Sequence, residues 1–230
     1  MPVFKPFGPD HWMVLGMTLL GAAFVVASAP RLRHATHDSL LRYGLTLLLV
    51  GNELGSWASA LSKQRWGLPL QLCDLAVFLV AWALIGRQRL VGELAVCWGL
   101  AGSTQAVLTP DLREGFPSYP WWQFFLGHGA IVLGALYVLV RGRVRLTLSS
   151  VWRVFAVSNL YLVAAGMINW RLGTNFGYLA RKPTHPSLLD VLGPWPYYIL
   201  SIEVIALVLF LCCLGLSRLI DRWVGPARAV

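Results

Sequence analysis

At 230 residues, 57% hydrophobic and only 13% charged, the chain is too apolar to be disordered and too poor in charge to clothe a soluble domain, which needs about a quarter of its residues charged. A net charge of +9 would invite nucleic acid as the partner of a soluble protein. Here the nineteen Lys and Arg residues flank hydrophobic runs, so they read as topology signals and no nucleic acid is expected.

Apolar runs at 12–29, 42–60, 70–86, 92–109, 122–140, 151–170 and 197–217 predict an all-α fold. The expected architecture is a polytopic membrane helix bundle of seven transmembrane helices in a single domain, residues 1–230. The first run ends in Ala27-Ser28-Ala29, which has the small-x-small form of a leader cleavage site. Its length, Asp10 before it, and Arg31 and Arg33 after it favour a retained helix. The second run carries Asn52 and Glu53, the third opens on Cys73 and Asp74, and the fourth closes near Gln105. The fifth holds His128, the sixth Asn159 and Asn169, and the seventh Glu203. Segment 171–196 is rich in Gly, Pro and aromatic residues and is expected to be a cap or lid, not a helix. Trp121, Trp122, Trp195, Tyr197 and Tyr198 read as interfacial anchors.

The bases divide 12 to 7 between alternate sides of such a bundle, which places the N-terminus outside and the C-terminus in the cytoplasm. Sixteen of the nineteen are Arg, and the chain reads as a multi-pass protein of a bacterial cytoplasmic (inner) membrane. Cys73, Cys97, Cys212 and Cys213 all lie in apolar runs, so no disulfide framework is suggested.

Ionisable side chains are expensive in hydrocarbon unless partnered or functional. At about 1.5 Å rise per residue, Asn52, Glu53, Cys73, Asp74, Gln105, His128 and Glu203 fall in the same, outer, leaflet. For Asn52, Gln105, Asn159 or Asn169 taken singly, a buried hydrogen-bonded packing role is the plainer reading. For Glu53, Asp74, His128 and Glu203 together, a site is. Cys97, Cys212 and Cys213 fit inert apolar packing. Cys73 differs in its company: a thiol attacks as thiolate, so beside Asp74 it needs a proton-accepting partner, and His128 is the only histidine predicted within a span. No GxSxG, phosphate loop, HxxxH or HExxH occurs, so neither a metal nor any other cofactor is expected.

Several strings in fixed order carry a resemblance. They are Leu68-Pro69-Leu70-Gln71-Leu72-Cys73-Asp74-Leu75, Gln105-Ala106-Val107-Leu108-Thr109-Pro110-Asp111-Leu112, Phe116-Pro117, and Phe124-Phe125 before His128-Gly129. Later come Asn169, Asn175-Phe176-Gly177-Tyr178-Leu179, Lys182-Pro183, Ser187-Leu188-Leu189-Asp190 and Gly193-Pro194-Trp195-Pro196, with His11 early in the chain. Together they resemble the YwaF-like family of bacterial integral membrane proteins. That family is similar to a eukaryotic transmembrane acyltransferase that remodels ether phospholipids, and more distantly to androgen-induced lipid-ester hydrolases that use a Thr and a His.

The resemblance implies that Cys73 is a nucleophile and His128 its base, moving an acyl chain between membrane phospholipids and lysophospholipids through a thioester. Asp74 or Glu53 would orient His128, Gln105 and Asn52 are the candidate oxyanion donors, and Arg181 or Lys182 would meet a lipid phosphate. No protein partner is implied. The competing reading is a transporter or receptor that binds a proton or small solute at the same polar cluster.

Overall fold

The computed structural model describes residues 2–28, 35–64, 67–183 and 187–224. Ala29, Arg31, Arg33, Arg65 and Arg228, used above for cleavage and topology, lie outside them. The described residues form α1 (Pro9–Ser28), α2 (Ala35–Ser62), α3 (Leu72–Ile85), α4 (Arg89–Cys97), a π-helical turn (Trp98–Ser103), α5 (Thr104–Leu108), α6 (Tyr119–Val140), α7 (Leu148–Leu172) and α8 (Tyr197–Val224). Two 3-10 turns, Phe176–Tyr178 and Leu188–Val191, punctuate the segment before α8. No strand occurs among the described residues, only an isolated bridge between Val3 and Glu114.

Among the described residues four helices are long and apolar enough to cross a membrane: Pro9–Ser28, Tyr119–Val140, Leu148–Leu172 and Tyr197–Trp223. Helix α3 is apolar but only 14 residues long. The apolar run at 92–109 is interrupted by the π turn, and α2 starts at Ala35, seven residues before its apolar run. A hydrophobic run understates α2 because its first turns carry His37, Asp38 and Arg42, which are partnered inside the protein.

The helices alternate in direction. Thr18 faces Gly129 and Leu133 faces Gly21, so α1 runs parallel to α6. Asp38 reaches Arg141 while Asn52 reaches Gln123, so α2 runs antiparallel to it. Val80 packs on Gly134, and Arg143 meets the carbonyls at the end of α3, which makes α3 parallel to α6. Gly92 lies against Val144 and Gly99 against Ala135, so the segment from Arg89 to Leu108 runs back. Helix α7 follows that segment, through Glu93 to Arg153 and Trp98 to Ser158. Helix α8 returns from Tyr198, beside Tyr178, to Ser217, which accepts from the Leu146 amide.

Helices in hydrocarbon gain nothing from burying apolar surface against one another, so close approach at small residues supplies the attraction. Glycines sit at these crossings. A Cβ added at Gly134 would come within 2.6 Å of Val80 Cγ1, and one at Gly99 within 2.7 Å of Ala135 Cβ.

The basic end of the bundle holds one buried and one half-buried carboxylate that hydropathy alone did not single out. Glu93, fully buried, accepts from Arg153 at 2.6 Å, Ser150 at 2.8 Å and Arg89 at 2.8 Å. Asp38 accepts from Arg42 at 2.8 Å, Arg141 at 2.9 Å and the Tyr137 hydroxyl. Arg143 donates to the carbonyls of Ala83, Ile85 and Gly86, closing the C-terminus of α3. This end of the bundle is therefore stapled by ion pairs.

Gly134→Val should cost about 1–3 kcal/mol by overpacking and lower the thermal-unfolding midpoint in detergent. Gly166→Val, where an added Cβ meets nothing within 4 Å, should leave it unchanged. Equal midpoints for the two variants would show that the Val80 contact does not limit packing.

Candidate functional site at the seam of three helices

The contact of Val80 with Gly134 sets the register of α3 against α6. Seven residues fall about 20° short of two full helical turns, so stepping back by seven on both helices keeps each face. That step leads from Val80 to Cys73 and from Gly134 to Gly127. Helix register alone thus puts Cys73 at the level of Gly127 and its neighbour His128, while the side chain that meets Gly127 itself is Asn52 of α2. By the same step His128 lies on the face of α6 that carries Ala135, which lies against Gly99 of the π turn.

The His128 ring has one nitrogen committed and one free. Nδ1 lies 2.8 Å from the Phe124 carbonyl oxygen. A carbonyl only accepts, so Nδ1 carries the proton and, in the neutral ring, Nε2 presents a lone pair. That Nε2 atom is buried and has no hydrogen-bond partner among the described residues. Unpartnered buried polar atoms are rare, and this one is a proton acceptor held in a fixed tautomer. The Phe124 ring packs on the imidazole with centroids 4.2 Å apart and helps hold its plane.

Cys73 is a free thiol in the first turn of α3, within electrostatic reach of Asp74 and Glu53. The phenols of Tyr161 and Tyr178 also lie within reach of it. Asp74 is engaged locally: its Oδ2 accepts from the Gln71 amide at 3.0 Å, a carboxylate closing the start of α3. Glu53 is 5% exposed and lies one turn before Trp57 on its own helix.

The remaining sequence candidates disperse. Asn52 donates to the Gln123 carbonyl at 3.1 Å, with its amide filling the space above Gly127, so it ties α2 to α6. Gln105 donates to the Thr109 hydroxyl at 2.8 Å, on its own helix end. Glu203 accepts from Asn159 at 2.8 Å across the contact of α7 with α8. Lys182 donates to the Asp190 carbonyl and lies over the Tyr198 ring, whereas Arg181 is exposed.

Residues 174–181 close over the start of α3. Asn169 holds Phe176 by both its amide, at 2.8 Å, and its carbonyl, at 2.9 Å. Gln71 Oε1 accepts from the Gly177 amide at 3.0 Å. Gly177 turns with φ +63°, a conformation that favours glycine, and an added Cβ there would stand 3.3 Å from the Tyr161 hydroxyl. Tyr178 donates to Asp111 at 2.9 Å, and burial beside that carboxylate holds its phenol above its ordinary pKa, in the donating form. Tyr198 in turn donates to the Tyr178 carbonyl, and the Trp195 indole to the Leu179 carbonyl at 2.9 Å.

Gln71, Tyr161 and Tyr178 thus join the site, and periodicity carries no signal for them because each acts from a different element. His11, predicted ahead of the first helix, lies fully buried inside α1. Its Nδ1 accepts from the Phe7 amide at 2.9 Å and its Nε2 donates to the Val107 carbonyl at 2.8 Å, so both nitrogens are spent on a clasp. No group of three or more His, Cys, Asp or Glu able to hold a metal occurs among the described residues.

Asn169→Ala should release residues 174–181 and speed tryptic cleavage after Arg181 several-fold in detergent, while Asn159→Ala should not. Equal cleavage rates in the two variants would count against the Asn169 tether.

A family model described as TMEM164 family matches residues 6–214. No curated protein and no solved structure matches the chain.

Proposed function

The chain belongs to the TMEM164 family, a family of membrane proteins, and from that premise we propose that it is an integral membrane lipid acyltransferase working through a Cys73–His128 pair. The observation that carries the reading is the His128 ring: Nδ1 spent on the Phe124 carbonyl, Nε2 buried and unpartnered, at the level of Cys73. In this reading Nε2 takes the thiol proton as the sulfur attacks the carbonyl carbon of a phospholipid ester. A tetrahedral adduct forms, its C–O bond to the lysolipid breaks, and the proton passes from Nε2 to the leaving alkoxide. The acyl group then rests on Cys73 as a thioester until the hydroxyl of a second lipid, or water, accepts it.

The bundle in this proposal crosses a cytoplasmic membrane seven times. Helices α1, α2, α3, α6, α7 and α8 each cross, and the segment from Arg89 to Leu108 makes the remaining crossing. Arg42, Arg87, Arg89, Arg141, Arg143, Arg145, Arg153, Arg218 and Arg222 gather at the end assigned to the cytoplasm. The site then opens in the outer leaflet beneath residues 174–181, which act as a tied cap. Arg181, exposed on that cap, is the better placed of the two bases for a lipid phosphate, because Lys182 is engaged by Asp190 and Tyr198.

Two measurements test this. Val191, 80% exposed, should as Val191→Cys react with an impermeant maleimide added from outside; reaction only from the cytoplasm would reverse the orientation. Protein incubated with phospholipid labelled in one acyl chain should retain a hydroxylamine-labile label at Cys73. Cys73→Ala should abolish turnover, and His128→Ala should slow it about 10²–10⁴-fold, while Cys97→Ala and Cys213→Ala are nearly silent. Full turnover by Cys73→Ala removes the nucleophile. Neither label nor acyl exchange across bacterial phospholipids and lysolipids would turn the site into one for a proton or small solute.

A further inference from the structure

The thioester reading needs a donor for the oxyanion, and the two side chains the sequence offered, Asn52 and Gln105, donate elsewhere. A third group remains. Ser103 closes the π-helical turn Trp98–Ser103, is 2% exposed, and its Oγ is a buried atom without a hydrogen-bond partner among the described residues. Serines in helices ordinarily bond back to a carbonyl one turn earlier, as Ser158 does to Val154 at 2.9 Å. Ser103 does not, so its hydroxyl is available to something else.

Position says to what. Gly99 lies against Ile131 and Ala135 of α6, and the chain through the π turn runs antiparallel to α6. One turn on from Gly99, Ser103 reaches the level of His128, one turn back from Ile131 and on the same side as Ala135. Gly102 beside it meets Leu72 of α3, the residue before Cys73. Two unpartnered buried polar atoms, Ser103 Oγ and His128 Nε2, thus share one level of the seam with the Cys73 thiol. π turns recur at functional sites because the extra residue re-aims a side chain, and here the turn ends on the hydroxyl in question.

We infer that Ser103 is a catalytic residue whose Oγ–H donates to the carbonyl oxygen of the acyl ester attacked by Cys73. As the S–C bond forms, the carbonyl π pair moves onto that oxygen and the thiol proton moves to His128 Nε2. Ser103 holds the developing negative charge. When the C–O bond to the leaving alcohol breaks, the pair returns to the carbonyl and the His128 proton goes to the alkoxide. The ligand class is an uncharged carboxylic ester or thioester of a lipid, whose carbonyl supplies the acceptor that Ser103 lacks. This inference rests on the Cys73–His128 reading above.

The test compares two reactions of one thiol in the full-length protein in detergent. Acylation by the p-nitrophenyl ester of a medium-chain fatty acid, read as p-nitrophenolate release and mapped to Cys73, passes through an oxyanion. Alkylation of Cys73 by iodoacetamide does not. Ser103→Ala should slow acylation about 100-fold, the size of a lost oxyanion donor, while changing alkylation less than about twofold. His128→Ala should slow both. Acylation and alkylation that are both unchanged in Ser103→Ala, or that fall together, overturn the Ser103 role and leave the Cys73–His128 pair standing. Wild-type Cys73 that is alkylated but never acylated overturns that pair as an acyl carrier, and Ser103 with it.

Discussion

The close approach of α3 to α6 at Gly134 is the constraint from which the rest of the arrangement follows. With no side chain at Gly134, Val80 seats directly on the α6 backbone, and Leu84 and Leu49 fill in beside it. Because both helices run in the same direction, the register set there is carried two turns toward the opposite end without drifting off the shared face. In the proposed site Cys73 and His128 take a common level from a contact about 10 Å away along the axis. A bulkier residue at Gly134 would splay the helices and separate groups that no direct bond holds together.

The basic end of the bundle keeps that register from sliding. Glu93, Arg153 and Ser150 tie α4 to α7, Asp38 with Tyr137 and Arg141 ties α2 to α6, and Arg143 ties the α6–α7 connection to the end of α3. Glu93 is fully buried, so a register that took Arg153 from it would leave an uncompensated buried charge and is penalised. Polar groups at the other end are partly left unpartnered, at Ser103 and His128. Thr46 Oγ1 and Trp121 Nε1 are likewise buried without a partner among the described residues, and in the proposed reaction Ser103 and His128 are the two that the ester engages.

Much of this was legible in the sequence, for reasons that can be stated residue by residue. Apolar run length exposed the helices because hydrocarbon-facing surface leaves little room for polar residues. Counting residues at a fixed rise gave Cys73 and His128 one expected depth. What periodicity could not carry is which side chains spend their hydrogen bonds locally. Gln105 looked like a donor until Thr109 was found to accept it, Asn52 until the Gln123 carbonyl was, and Asp74 reads as a helix cap once the Gln71 amide is seen on it. Ser103 escaped notice because a serine in an apolar helix is unremarkable; only the π turn and the missing partner distinguish it. Asp38 and Glu93 carried a weak signal, an Arg four residues away on the same helix, Arg42 and Arg89, easily taken for an exposed pair.

The account stands most directly on the claim that the side chains at 73 and 128 meet across the α3–α6 seam. In a chain with Cys97, Cys212 and Cys213 replaced by Ala, His128→Cys would place a second thiol opposite Cys73, and dibromobimane becomes fluorescent when it bridges two neighbouring thiols. The account predicts a bridged, fluorescent adduct mapped to positions 73 and 128. Leu126→Cys, on the exposed side of α6, should give none. Absence of the 73–128 bridge, with each of the two thiols shown to react singly with a monofunctional bimane, would contradict it.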